Sequence, residues 1–307
     1  MNVLITGGAG FIGSTVADLL ISKGYTVIIV DNFSTGKREY VHPKAKLYEI
    51  DVCDRTSLMT VFRQEKPNIV YHLAAQINVA HSILDPTSDA QSNIMGTIYV
   101  MECSTKYGVK KVIYSSSAAV YGDVAQLPIA EDQVKQPQSF YGLSKALPED
   151  YLAMYAKFFP IDYTVLRYAN AYGIRQDPMG EGGVISIFLS KILQEETIVI
   201  HGDGEQTRDF VYVKDIARAN LAALDKASKK IINISSNTST SIKQLATMMT
   251  SIAAKPSLPI TYIESRQGDI VHSRLDNKQA QYHLSWEPSY TLQAGLGETI
   301  RYYLEQN

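Results

Sequence analysis

The chain has little cysteine, no surplus of either charge and no long apolar run, and each shortage excludes a class of protein. Its two cysteines, Cys53 and Cys103, make no disulfide framework, and no Cys or His cluster has zinc-ligand spacing, so no metal is expected. The 29 basic and 31 acidic residues leave a net charge of −2, which offers no basic surface to nucleic acid or anionic lipid. No stretch approaches the ~18 apolar residues of a membrane helix. Hydrophobic residues at 45% and charged residues at 20% are ordinary globular values and argue against disorder. The β-branched run opens at Val3 and leaves no room for a secretory leader, so the expected location is a reducing cytoplasm. Internal repeats, low-complexity tracts and flexible linkers are also missing.

What is present is an alternation of two periods. Val3–Thr6 reads as a buried strand, Phe11–Lys23 places Ile12, Val16, Leu19 and Leu20 on one helical face, and Thr26–Val30 is a second strand. Further strands are expected at Leu47–Ile50, Ile69–Leu73, Lys111–Ser115 and Tyr163–Leu166, alternating with helices near 54–65, 89–107 and 141–158. This order predicts an α/β fold with a doubly wound parallel sheet. After about residue 170 the rhythm changes: helices are expected at Val184–Gln194, Ile216–Leu224, Ile242–Ile252 and Leu292–Leu304, with loops and prolines between them. The reading divides the chain into residues 1–170, to which some later segments return, and a smaller, mainly substrate-binding part, 171–307.

Between the first strand and helix lies TGGAGFIG, with Gly7, Gly10 and Gly13 three residues apart. Glycine spacing alone is weak, but here a strand precedes, a helix follows, and Asp31 ends the second strand where a dinucleotide needs a carboxylate for its ribose hydroxyls. The Asp31 charge would repel a 2′-phosphate, which favours NAD over NADP. Asp51 follows the third strand and has two readings, acceptor from an adenine amino group or N-cap of the next helix.

Tyr141 and Lys145 in YGLSK share one helical face. With 20 tyrosines in the chain, about one Tyr-x-x-x-Lys pair arises by chance, and three exist: Tyr40 with Lys44, Tyr107 with Lys111, and Tyr141 with Lys145. Only Tyr141 begins a helix shortly after a strand that ends in hydroxyls, Ser115, Ser116 and Ser117. A phenol is a poor base at neutral pH, but a nearby ammonium and a cationic nicotinamide stabilise the phenolate. Tyr141 is therefore the expected base toward a substrate hydroxyl, with Ser117 bonding the same oxygen.

The strings TGGAGFIG, VDNFSTG, YHLAAQ, SNIMGT, YSSSAAVYG, YGLSK, LRYANAYGIRQ, GDGEQTRDFVYV and RQGD, in this order across almost the whole chain, resemble the extended short-chain dehydrogenase/reductase superfamily and, within it, the UDP-glucose 4-epimerase family. The resemblance implies a Rossmann domain with a smaller carboxy-terminal α/β substrate domain, and a homodimer built on the helices near 89–107 and 141–158. In those helices Ile98, Met101, Leu152 and Tyr155 are candidates for the dimer contact or for their own core. It assigns NAD to Gly7, Gly10, Phe11, Ile12, Gly13, Asp31, Asn32, Asp51, Val52, Leu73, Ala74, Ala75, Asn93, Ser115, Tyr141, Lys145 and Tyr168. Leu73–Ala75 also read as plain core, and Asn93 as a helix residue.

For the nucleotide sugar the resemblance assigns Ser117, Tyr141, Asn170, Gly183, Val184, Val199, His201, Arg208, Arg266, Asp269 and Ser273. Arg208 and Arg266 have the guanidinium forks that suit a diphosphate. Two positions depart from the family pattern. Ile77 stands where longer members often carry a cofactor-contacting lysine, and His201 stands where an aromatic ring usually stacks on uracil; His201 also reads as a cap of the turn Gly202–Gly204. Related 4,6-dehydratases carry Asp-Glu just after the catalytic hydroxyl, where this chain has Ala118 and Ala119; Ala119 likewise disfavours UDP-glucuronate decarboxylation. The resemblance thus implies epimerisation at carbon 4 of a UDP-hexose. Ser273 stands where a tyrosine would exclude a 2-acetamido group, so the N-acetyl sugars are expected too, unless Ser273 only serves a turn. A UDP-glucuronate 4-epimerase and a dinucleotide-binding regulator without chemistry are the competing expectations.

Overall fold

Aliphatic, β-branched runs form the strands that the sequence marks, because a strand covered by helices on both sheet faces buries side chains on both. The computed structural model describes residues 1–177, 183–265 and 270–305. Its strands are β1 (Asn2–Thr6), β2 (Thr26–Asp31), β3 (Lys46–Glu49), β4 (Ile69–His72), β5 (Lys111–Ser117), β6 (Asp162–Tyr168), β7 (Asn170–Tyr172), β8 (Ile198–His201), β9 (Thr207–Arg208), β10 (Phe210–Tyr212), β11 (Lys230–Ile234), β12 (Thr240–Ser241) and β13 (Ile260–Ile263). The α-helices are α1 (Phe11–Ser22), α2 (Arg55–Glu65), α3 (Val79–Leu84), α4 (Pro86–Ala90), α5 (Gly96–Lys106), α6 (Phe140–Phe158), α7 (Val184–Leu193), α8 (Val213–Ala223), α9 (Ile242–Ile252), α10 (Lys278–Leu284) and α11 (Leu292–Leu304).

Seven strands make one parallel sheet in the order β11-β6-β5-β4-β1-β2-β3. The order reverses between β1 and β4, which opens a crevice beyond their carboxyl ends. One face is closed by α1 and α8, where Val16, Ala17, Leu20, Ile216 and Ala219 meet Ile5, Ile29 and Tyr71. The other is closed by α2, α5 and α6, where Leu58, Phe62, Met101 and Leu152 meet Leu4, Ile28 and Val112. A third core gathers Tyr172, Phe188, Leu189, Ile198, Tyr212, Leu245 and Leu296 from β7, α7, β8, β10, α9 and α11. It is supported by the short pairs β7–β10, β9–β12 and β8–β13.

The doubly wound α/β expectation holds, and the differences in detail have local causes. α8 starts at Val213 rather than Ile216, because the run Phe210–Val213 passes from strand to helix without any change in apolar character. The single helix expected over 89–107 carries a π turn at Gln91–Met95 between α4 and α5. One added residue per turn hardly disturbs an apolar stripe, so the sequence pattern hides it. Two glycines fix the junction of β1 and α1. Gly7 has φ +71°, and a Cβ there would lie 2.7 Å from the Ala74 amide nitrogen; a Cβ on Gly13 would lie 2.0 Å from the Gly7 carbonyl oxygen.

Candidate active site

Helix α1 begins at Gly10 with no side-chain cap and no acidic residue in its first turn. Its leading amides and positive dipole end are therefore left for an external anion, the donor set that a pyrophosphate requires. Asp31, 7% exposed at the end of β2, accepts from the amides of Ala9 and Phe33, each at 2.9 Å. Those two bonds tie the glycine turn to the loop after β2 and leave each carboxylate oxygen a lone pair for a ribose hydroxyl. The residues present thus fit NAD.

Asn32 Nδ2 donates to Asp51 at 2.9 Å, and the Cys53 amide donates to Asp51 at 2.8 Å. Burial opposes the Asp51 charge, but these hydrogen bonds prevail and hold its pKa below the usual value. The cap of α2 is Asp54, which accepts from the Ser57 amide at 3.1 Å, so of the two sequence readings of Asp51 the N-cap falls away. Val52 packs on Gly96. Leu73, Ala74 and Ala75 are half-buried after β4, with Ala74 against Gly7, and Ile77 is exposed. Asn93 lies buried in the π turn, where its Nδ2 donates to Ser144 Oγ at 2.9 Å and its Oδ1 accepts from the Gln76 amide at 2.8 Å. Phe11 and Ile12 pack on the third core. Burial pushes both thiols, Cys53 and Cys103, up to about 12, so neither is a nucleophile at neutral pH.

Ser139 caps α6 by accepting from the Gly142 amide at 3.0 Å, which starts the helix next to Ser117 at the end of β5. The Tyr141 amide donates to Ser82 Oγ at 3.1 Å, and the phenol lies close enough to Ser117 to feel its hydroxyl. Burial raises the Tyr141 pKa, the nearby Ser117 hydroxyl works against that rise, and the charge of Asp89 adds to it. Lys145, 3% exposed, donates to the Ser115 carbonyl at 2.9 Å and sits 5.2 Å from the Tyr114 ring centroid. Burial brings its pKa down to about 8, with Asp89 opposing the fall. The Tyr168 hydroxyl donates to Asn220 Oδ1 at 3.2 Å and accepts from Asn220 Nδ2 at 2.9 Å.

The rival pairs are dispersed. Tyr40 ends a short 3₁₀ turn ahead of Lys44 in a loop. Tyr107 follows α5, and Lys111 opens β5 and bonds the Lys226 carbonyl at 2.5 Å. Ser117, Tyr141 and Lys145 converge at the carboxyl end of the sheet.

Of the expected sugar-nucleotide residues, Ser117 and Tyr141 are placed above, and Asn170, Gly183, Val184, Val199, His201, Arg208 and Ser273 lie on or beside β7, α7, β8 and β9. Asn170 opens β7, and its amide donates to the Asp209 carbonyl at 2.9 Å. Gly183 is the N-cap of α7 ahead of Val184, and no side chain caps that helix either. Val199 and His201 share a face of β8 and stand in register with Thr261 and Ile263 of β13. The His201 ring is bonded through Nδ1 to the Glu264 carbonyl rather than to the turn Gly202–Gly204. Arg208 Nη1 donates to the Thr207 carbonyl at 2.9 Å, and the Ser273 amide donates to the same carbonyl at 3.2 Å, which brings Ser273 beside β9. Arg266 and Asp269 lie outside the described residues.

Three neighbours escaped the sequence reading. Asp209, fully buried after Arg208, accepts from the Leu275 amide and from the amide and hydroxyl of Ser236, and burial raises its pKa to about 6. Glu149 of α6 and Arg167 of β6 form a buried ion pair at 2.6 Å. The available signal for Glu149 was its place one helical turn beyond Lys145, on the face of Tyr141.

Residues 3–235 match the model of the NAD dependent epimerase/dehydratase family. The UDP-glucose 4-epimerase of Mycolicibacterium smegmatis is 37% identical over 310 residues, which span 99% of this chain and 98% of that relative. Among solved structures, UDP-glucose 4-epimerase from the hyperthermophile Thermotoga maritima, with UDP-glucose, superposes with a TM-score of 0.97 at 44% identity, covering 100% of this chain and 99% of that one. UDP-N-acetylglucosamine 4-epimerase from Methanobrevibacter ruminantium, in complex with UDP-N-acetylmuramic acid, gives 0.94 at 35% identity, covering 100% and 99%. A family match over most of the chain, and relatives that align with it almost end to end, make this protein a member of the NAD dependent epimerase/dehydratase family.

Proposed function

We propose that the protein is an NAD-dependent UDP-sugar 4-epimerase that interconverts UDP-glucose with UDP-galactose and the corresponding N-acetylated pair. The observation that carries this reading is the convergence of Tyr141 and Lys145, one turn apart on α6, with the hydroxyl-rich end of β5, where Lys145 donates to the Ser115 carbonyl at 2.9 Å, in a sheet whose first helix is left uncapped. The named activities of the Mycolicibacterium, Thermotoga and Methanobrevibacter relatives support the sugar class.

NAD, held by the glycine turn before α1 and by Asp31, would supply the acceptor and donor of the carbon-4 hydride. Tyr141 accepts the proton of the 4-hydroxyl, and Ser117 bonds the same oxygen so that it stays in line with the phenol. Lys145, charged below about pH 8, favours the phenolate. After the ketone has turned over in the pocket, Tyr141 gives the proton back and carbon 4 is inverted. Ala118 and Ala119 supply no acid or base for expelling water, so the cycle closes on the same atoms. Arg208, with Arg266, holds the diphosphate, and the face of Val199 and His201 takes the uracil. Residues 1–170, with β11 and α8, carry the cofactor, and 171–307 mainly carry the sugar nucleotide.

We place this activity in the cytoplasm, where Cys53 and Cys103, both free, stay reduced. Among the described residues no helix is long and apolar enough to cross a membrane. The active form is a homodimer. Its support is a stripe on α6, in which Phe140, Leu143, Leu147, Tyr151, Met154 and Phe158 recur every three or four residues and all are exposed. Met101 and Leu152, candidates for this contact in the sequence, instead fill the core behind the sheet.

The test is incubation of the purified protein with UDP-glucose, UDP-galactose, their N-acetyl forms and UDP-glucuronate, with chromatographic resolution of the products. Carbon-4 epimers without accumulation of free NADH are expected. Stoichiometric free NADH would indicate a dehydrogenase, conversion of UDP-glucuronate alone the uronic-acid enzyme, and no conversion at all a binding protein.

A further inference from the structure

Helix α6 presents three polar residues at one-turn intervals, Tyr141, Lys145 and Glu149, and only the first two enter the chemistry above. Glu149 is 1% exposed. Its Oε1 accepts from Ser116 Oγ at 2.6 Å and from Arg167 Nε at 2.9 Å, and its Oε2 accepts from Arg167 Nη2 at 2.6 Å. Ser116 and Arg167 are register partners across β5 and β6, so one carboxylate locks the helix to two adjacent strands. Arg167 is itself fixed: Nη1 donates to the Tyr121 hydroxyl at 2.8 Å, and that hydroxyl donates to Asn233 Oδ1 on β11 at 2.7 Å.

The position of this lock matters more than its strength. Ser116 stands between Ser115, whose carbonyl receives Lys145, and Ser117, which lies near the Tyr141 phenol. Apolar packing of α6 on the sheet is non-directional and allows small rotations and slides, whereas a guanidinium fork on a carboxylate has one geometry. Pro148 lies within the helix, where it removes a main-chain donor immediately before Glu149, so α6 needs an outside anchor there.

We propose that Glu149 is a positioning residue, whose forked bond to Arg167 and single bond to Ser116 set the rotation and height of α6 so that the Tyr141 phenol meets Ser117. This rests on the reading of Tyr141 as the proton acceptor. The charged and titratable groups facing Glu149 are Arg167 and Tyr163 of β6, Lys135 of the segment before α6, at 3.5 Å, and Tyr114 of β5. The charged group acting on Tyr141 from α4 is Asp89.

The test compares Glu149→Gln with wild type and Tyr141→Phe. The amide keeps the volume of the carboxylate but presents a donor to Arg167 or to Ser116. kcat for UDP-glucose is expected to fall about 10- to 100-fold with KM changed less than about threefold, as for a small misplacement of a reacting group. The pH limb of kcat that reports the base should move up by about one unit as the phenolate loses its Ser117 partner. Ultraviolet titration of the Tyr141 phenol, read as wild type minus Tyr141→Phe and as Glu149→Gln minus the Glu149→Gln, Tyr141→Phe double variant, should show the same displacement without turnover. A variant with a lower melting temperature but unchanged kcat, pH limb and phenol titration would make the ion pair merely structural and overturn the proposal. If Glu149→Gln does not fold, Ser116→Ala removes only the β5 arm; a smaller shift of the pH limb in the same direction supports the proposal and an unmoved limb overturns it. An active Tyr141→Phe would instead overturn the reading of the base itself, whereas an inactive Tyr141→Phe beside a fully normal Glu149→Gln would remove the positioning role alone.

Discussion

Lys145 reaches from helix α6 to strand β5 and donates to the Ser115 carbonyl across 2.9 Å, so the ammonium is held two residues from Ser117, which lies near the Tyr141 phenol. Phenol, hydroxyl and cation are thereby mounted on one strand end and one helix face. Rigid elements of this kind hold reacting groups more closely than loops do.

The first prediction separates the three Tyr-x-x-x-Lys pairs. Tyr141→Phe should lower kcat by about 10²- to 10⁴-fold, the range for loss of a general base, with NAD retained. Tyr40→Phe and Tyr107→Phe should stay within about twofold of wild type, since neither tyrosine shares a helical face with its lysine. Equal losses at all three positions, measured by initial rates, would contradict the assignment.

The second prediction is a trade between stability and function at Lys145. Burial lowers its pKa in the folded protein from 10.5 to about 8, so the folded state sheds a proton near pH 8 that the unfolded chain keeps up to about 10.5. The sign follows: this group contributes stability above the unfolded value, and that contribution is lost as pH falls through about 8. At neutral pH the buried ammonium therefore costs stability, on the order of 1–3 kcal/mol. Lys145→Met should raise the melting temperature at pH 7, lose that advantage between pH 8 and 10.5, and abolish epimerisation. Calorimetry at the three pH values checks the sign, and a destabilised Lys145→Met at pH 7 would reverse it.

The sequence made some of this site plain and hid the rest for physical reasons. β1, α1 and β2 were legible because β-branched runs, a 3.6-residue stripe and three spaced glycines agree within one βαβ unit. Tyr141 and Lys145 were legible because four residues in a helix are neighbours in space. Glu149 with Arg167 was not, since a charged residue reads as surface until the partner that buries it is known. The pairing of β8 with β13 joins Val199 to Thr261, and no local pattern announces so distant a partner. In α6 both faces are apolar: Leu152 turns to the sheet and Leu147 to solvent. Periodicity finds the stripes but does not say which of them meets the core.

The third prediction concerns that outer stripe. Replacing Leu147 and Met154 together by Glu puts two charges into the middle of the surface that the dimer would bury, where each must be desolvated without a partner. Sedimentation at micromolar concentration should give a wild-type species of twice the 34.1 kDa of one chain and a double variant of a single chain. Wild type sedimenting as one chain would remove the dimer.

The last prediction is substrate breadth, and it turns on Ser273. The residue is half-buried beside β9, its amide on the Thr207 carbonyl and its neighbour Arg208 proposed to hold the diphosphate. A serine at this position leaves space that a phenol ring would fill, and an acetamido group cannot share a volume already occupied. Wild type should therefore interconvert UDP-N-acetylglucosamine and UDP-N-acetylgalactosamine as well as the plain pair. Ser273→Tyr should lower kcat/KM for the N-acetyl pair by at least about 100-fold, as steric exclusion from a packed pocket does, and change it less than about threefold for UDP-glucose and UDP-galactose. The two ratios need to be measured on the same preparation, so that a general loss of fold cannot pass for selectivity. Undiminished N-acetyl activity in Ser273→Tyr would move the specificity determinant elsewhere in the lobe, and a wild type inert toward the N-acetyl sugars would show that another side chain closes the pocket.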